Sequence, residues 1–140
     1  MGDIAPNGEE FLFEDGEIIC QTDIDSHITY VNRKFCEVNR YRFGEIVGKE
    51  YSVTLHPDMP NEIYFKLLRD LDSTLSTSDI IKNITKDGAS YYSSIEVIAT
   101  KDENGELSGY ISVSKPASKK EIEKSGELFQ KMLNSKKVLR

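Results

Sequence analysis

A chain of 140 residues, 38% hydrophobic and 30% charged, has the usage of a soluble globular protein and room for one core rather than two. Its net charge of −6 makes nucleic acid and anionic membrane poor partners. No apolar run has the length of a membrane span, the N-terminus lacks the basic-then-apolar layout of a signal peptide, and a cytoplasmic location is expected. Cys20 and Cys36 lack CxxC spacing and read as small buried hydrophobes, not as a disulfide or redox pair. With two histidines and two cysteines so dispersed, no metal site is expected.

Residues 1–16 read as a tail or cap, the first ten mobile, with Phe11-Leu12-Phe13 covering an apolar surface. Ile18, Ile19, Cys20 and Thr22 form a short strand stopped by the turn formers Asp23-Ile24-Asp25-Ser26, and 27–31 returns as its hairpin partner. At Asn32, a helix cap, the period changes, and Phe35, Val38 and Tyr41 predict a short helix. A helical turn closed by Gly48 follows.

His56-Pro57-Asp58-Met59-Pro60 is the elbow of the chain. Two prolines fix two φ angles and remove two backbone donors, so the segment is neither interior helix nor central strand. Pro60 and Glu62 suit the first turn of a helix over 60–72, whose Tyr64, Leu67, Leu68, Leu71 and Leu75 share one face. Asp58 either caps that helix or pairs with His56. Ser73–Ser78 reads as the loop after it.

The rest is β. Ile80, Ile81 and Ile84 lead to the Asp87-Gly88 turn, and Tyr91, Ser93, Ile95, Val97 and Ala99 share a face of the next strand. After Asn104-Gly105, Leu107, Gly109, Ile111 and Val113 alternate with Ser108, Tyr110, Ser112 and Ser114, a half-buried strand of period two. Ser118 and Glu121 have capping-box spacing ahead of a C-terminal amphipathic helix over 117–140.

This order predicts an α+β domain over 17–116: antiparallel strands with one face covered by the short helices of 32–72, which leave a cleft for a ligand. Thr22-Asp23, Ile28-Thr29-Tyr30-Val31-Asn32, Phe35, Tyr41, Glu45-Ile46-Val47-Gly48 and the two hairpins resemble a PAS domain from about Glu17 to Lys115. The resemblance implies a five-stranded antiparallel sheet with short helices over one face, flanked by the N-terminal segment and the C-terminal helix. Within that family, the elbow, Lys82-Asn83, Lys86-Asp87-Gly88, Tyr91 and Ser108–Ser112 resemble the PAS domains of bacterial aerotaxis receptors. That subfamily binds FAD and uses it as a redox sensor. Its Arg-His-Pro-Asp motif matches at His56, Pro57 and Asp58, and two pocket asparagines match Asn32 and Asn83. Its arginine and tryptophan positions fall at Leu55 and Thr77, which removes a cation and an aromatic plate from the flavin's surroundings.

The resemblance therefore implies a signalling module, not an enzyme, with FAD as cofactor, Asn32, His56, Asp58 and Asn83 as its contacts, and a chemotaxis-type receptor or a second copy as partner. Two other readings stand beside it: a cofactor-free PAS module for dimerisation or docking, and a haem sensor using His56. No Gly-x-Ser-x-Gly elbow or other nucleophile accompanies His56, which argues against hydrolytic chemistry.

Overall fold

The computed structural model describes residues 4–60, 66 and 76–138. In chain order these form β1 (Ile18–Asp23), β2 (Ile28–Val31), α1 (Arg33–Asn39), α2 (Phe43–Ile46), a 3-10 turn at Tyr51–Thr54, β3 (Ser76–Ile84), β4 (Ser90–Lys101), β5 (Leu107–Pro116) and α3 (Lys119–Val138). The strands make one sheet in the order β2-β1-β5-β4-β3, with every pairing antiparallel.

Local chemistry sets the first crossover. Asp23 Oδ1 accepts from the backbone N–H of Asp25 and of His27, 2.9 Å each, and closes the β1–β2 turn. Asn32 then braces three segments. Its Oδ1 accepts from Phe35 N at 3.0 Å as the α1 cap and from Ile19 N at 3.1 Å, while Nδ2 donates to Glu17 O at 2.9 Å. Helix α1 is thereby tied to β1, and Phe35 and Ile46 enter the core fully buried. Gly48 ends the α2 turn at a φ of 93°, a conformation that costs glycine little.

Because directly opposed residues share a face, the register assigns the covered side of the sheet. It carries Ile18, Cys20 and Thr22 of β1, Ser112 and Ser114 of β5, Tyr91, Ser93, Ile95 and Val97 of β4, and Ile81 and Asn83 of β3. The alternation in β5 is present with the small polar set inward: Ser112 and Ser114 are buried, whereas Leu107 is 46% exposed. On the opposite face Tyr92 stacks on Phe129 of α3, ring centroids 6.3 Å apart. Helix α3 opens with the capping box, in which Glu121 N donates to Ser118 Oγ and Ser118 N to Glu121 Oε1.

Two expectations are corrected. The first ten residues were expected to be mobile, yet the segment from Asn7 to Phe13 is strapped to the β3–β4 hairpin. Asn7 N donates to Gly88 O, Ser90 N to Glu9 O and Phe11 N to Ser90 O. Arg40 locks the strap by pairing with Glu9 and Asp87 at 3.2 and 2.8 Å and lying over the Phe11 ring. Phe11 and Phe13 pack on Tyr91, as the apolar patch demanded, while Leu12 between them is 57% exposed. The second correction is that Ser76 to Ser78 belong to β3, not to a loop, because they pair with Ile98, Val97 and Glu96 of a long β4. The expected helix over 60–72 lies outside the described residues.

Candidate functional site

The elbow is stitched to the edge strand. Leu55 bridges Asn83 across an isolated pairing, and His56 N donates to Lys82 O at 3.0 Å. The chain then turns back on itself as Met59 N donates to His56 O. Leu55, His56, Met59 and Pro60 are buried, and Pro57 and Asp58 face water.

His56 is only 4% exposed, and its Nδ1 accepts from Asp58 N at 3.0 Å. The neutral ring therefore carries its proton on Nε2. Burial, with help from Lys82, holds the imidazole below its ordinary 6.5, and Asp58 and Glu10 pull the other way. The Asp58 carboxylate stands 3.9 Å from Nδ1, too long for a hydrogen bond, so the pair is held through the Asp58 backbone.

This fixes an acid response. The unfolded imidazole takes up its proton near 6.5 and the folded one only lower, so the contribution to stability is whole above that pH and is lost as pH falls below it. Urea midpoints from about pH 7 to about pH 5 should decline in the native chain and decline less in His56→Gln. Equal slopes would mean that the folded His56 ionises normally. Glu45, held at about 2 by Lys86 and the Arg42 backbone, loses its contribution as pH falls from its ordinary 4.5 toward about 2, below that window.

The predicted site residues divide. The elbow that carries His56 and Asp58 crosses β3 at Lys82 and Asn83. Asn83 is buried, with Nδ2 donating to Ser93 Oγ at 2.9 Å. Asn32 lies at the β1–α1 junction with its amide used by three main-chain groups. Thr77 sits opposite Val97 in the register. Leu55, at the position of the expected arginine, is 1% exposed. Tyr91 is core: its hydroxyl donates to Asn39 Oδ1 at 2.6 Å, and burial drives its pKa upward. Cys20 is inert as a nucleophile, its thiol pushed up to about 12 by burial despite a hydrogen bond with Ser112.

Sequence reasoning missed the polar side chains of the covered face. A diagonal of small polar side chains, Thr22, Ser112, Ser114, Ser93 and Asn83, crosses the covered face from β1 to β3. Apolar residues would be the ordinary lining of a core there. Among the described residues Thr22 Oγ1 is buried without a hydrogen-bond partner, a state that costs about 1–3 kcal/mol. The signal was the β5 alternation read together with Cys20, whose burial would have assigned the opposed serine to the inside.

Sheet order and covering helices together define an α+β domain of one antiparallel sheet with short helices over one face. Residues 15–115 match the family model described as PAS domain. The chain is 32% identical over 124 residues to the aerotaxis receptor of Escherichia coli (strain K12), covering 89% of this chain and 24% of that protein. It is 26% identical over 100 residues to the nitrogen fixation regulatory protein of Klebsiella pneumoniae, covering 71% of this chain and 20% of that one. The chain thus spans about a quarter or less of the curated relatives it matches. Among solved structures, a PAS domain from Colwellia psychrerythraea superposes with a TM-score of 0.69 at 16% identity, over 74% of this chain and 87% of that one. The dark-state LOV domain of the photoreceptor Aureochrome1 gives 0.66 at 19% identity, over 88% and 86%.

The chain belongs to the PAS domain family. It is a PAS sensor domain related to the aerotaxis receptor, of a kind that is typically a signalling module without enzymatic activity. Among the described residues no helix is long and apolar enough to cross a membrane.

Proposed function

We propose that this domain is a cytoplasmic redox sensor of chemotaxis-type signalling and that FAD is its responsive group. The observation that carries the reading is the polar diagonal of the covered face, which ends in Asn83 beside the elbow that holds a neutral His56 and in the orphaned Thr22 hydroxyl at its far end. Such a diagonal costs stability in an apolar core and suits a ligand with many acceptors and donors. His56, with its proton on Nε2, would donate to a ring or carbonyl acceptor, and the Asn83 amide would contribute from β3. Asp58 would serve at the solvent side of the elbow. Asn32 would act indirectly, by fixing α1 against β1. Bound flavin supplies reversible electron uptake, and the residues around it orient it and keep water away.

The relatives agree in kind: one is named an aerotaxis receptor, and a Light-Oxygen-Voltage domain of similar fold was studied with a flavin analogue. The partner would be a receptor-type signalling protein or a second copy, met through the exposed Leu12 of the strap or Leu128 of α3. The cofactor-free reading is favoured by one observation: Leu55 fills with hydrocarbon the place of a cationic flavin partner. Reduction of the purified protein under nitrogen, followed by air, separates the two. A visible flavin spectrum that bleaches and recovers supports the sensor. A preparation without visible absorption before and after FAD addition leaves the assembly reading.

A further inference from the structure

Two Asn-Gly pairs stand exposed, Asn7-Gly8 in the strap and Asn104-Gly105 in the β4–β5 turn. Such a pair carries its own chemistry, because glycine has no Cβ to shield its backbone nitrogen from the neighbouring side-chain carbonyl. The two are not equivalent. Gly105 N donates to Asp102 O at 3.0 Å, and the Asn104 side chain makes no hydrogen bond among the described residues. Gly8 N is unbonded among the described residues. Asn7 Oδ1 accepts from Glu9 N at 2.7 Å, so a donor already polarises Cγ and is in place for an oxyanion formed there. The same side chain ties the strap to the β3–β4 turn, with Nδ2 donating to Asp87 O at 2.9 Å. Strap and turn meet closely, since a Cβ at Gly88 would lie 2.5 Å from Ala5 O.

We propose that Asn7 is a modification site, whose deamidation by the Gly8 nitrogen releases the strap. Gly8 N loses its proton to solvent base and bonds to Asn7 Cγ. The bond from Cγ to Nδ2 then breaks, and Nδ2 leaves as ammonia with a proton taken from water. Water opens the resulting cyclic imide at either carbonyl, giving aspartate or isoaspartate and one further negative charge. Both products lack the Nδ2 donor, so Asp87 O loses that partner. The new carboxylate also joins Glu9 and Asp87, two carboxylates that Arg40 already serves. Isoaspartate adds a backbone methylene between Asn7 N, bonded to Gly88 O, and Glu9 O, bonded to Ser90 N, which breaks the register of the strap. The reaction consumes only water and stands apart from the cofactor reading.

The test ages the native chain in mildly alkaline buffer and follows both pairs by the peptide mass gain of amide-to-acid conversion. Asn7 is expected to convert about fivefold faster than Asn104, the worth of one net hydrogen bond. Freshly purified Asn7→Asp should be cut by protease N-terminal to Phe13 faster than the native chain, by about the same factor. In aged native protein the cleavage should fall first on the converted fraction. Conversion at Asn104 as fast as at Asn7 would overturn the site. Native-rate cleavage of Asn7→Asp would overturn the release, as would cleavage spread through the whole chain rather than confined to the strap.

Discussion

Replacing Tyr91 by alanine is expected to cost about 4 kcal/mol of unfolding free energy, the range for emptying a buried aromatic site. The residue is 3% exposed and touches both the strap and the end of α1. Phe11 and Phe13 of the strap pack on it at centroid distances of 5.1 and 6.1 Å, and its hydroxyl reaches Asn39 at the end of α1. The cavity should also loosen the strap, so protease cleavage N-terminal to Phe13 should quicken. Tyr91→Phe isolates the polar part. It leaves Asn39 Oδ1 without its 2.6 Å donor inside the core and should cost about 1–3 kcal/mol, with the strap still held. Urea unfolding of both variants checks the pair. An alanine variant that loses less than the phenylalanine one would contradict the packing described here.

Leu55→Arg is the second large effect, and it has two signs. Leu55 is buried where the elbow bridges Asn83, so a guanidinium placed there in the apoprotein is a desolvated charge without a fixed partner. Leaving a buried charge uncompensated costs about 3–5 kcal/mol. A flavin dinucleotide carries a pyrophosphate that this cation can pair with, as the arginine of the resembling subfamily implies. The apo variant should therefore melt well below the native chain, and saturating FAD should raise its melting temperature by more than it raises the native one. Equal FAD-induced shifts in the two proteins would show that position 55 does not reach the cofactor.

The sequence made the frame readable because its strongest signals are local. Asn32 caps α1 through bonds only three residues away, and the Asp-Gly and Asn-Gly pairs fold two hairpins by φ alone. Long-range pairing hid the rest. Asn7 to Phe13 look like a tail until the backbone groups of Gly88 and Ser90 are there to pair with them. Ser76 to Ser78 have loop composition, and only the length of β4 draws them into the sheet. The site shows the same division. His56 was legible from the proline elbow, and Asn83 from the family resemblance. The two ends of the polar diagonal, Thr22 and Asn83, are 61 positions apart in the chain and become one surface only when β5 inserts between β1 and β4. Asn32 reads two ways in the sequence for a physical reason: a cap and a ligand contact demand the same amide.

The most direct measurement is to unfold the purified protein, separate it from small molecules, and identify any flavin released by chromatography and mass. The account predicts FAD, bound by the native chain or taken up by the apoprotein with a saturable isotherm. Protein that releases no flavin and takes up none at saturating FAD would contradict it.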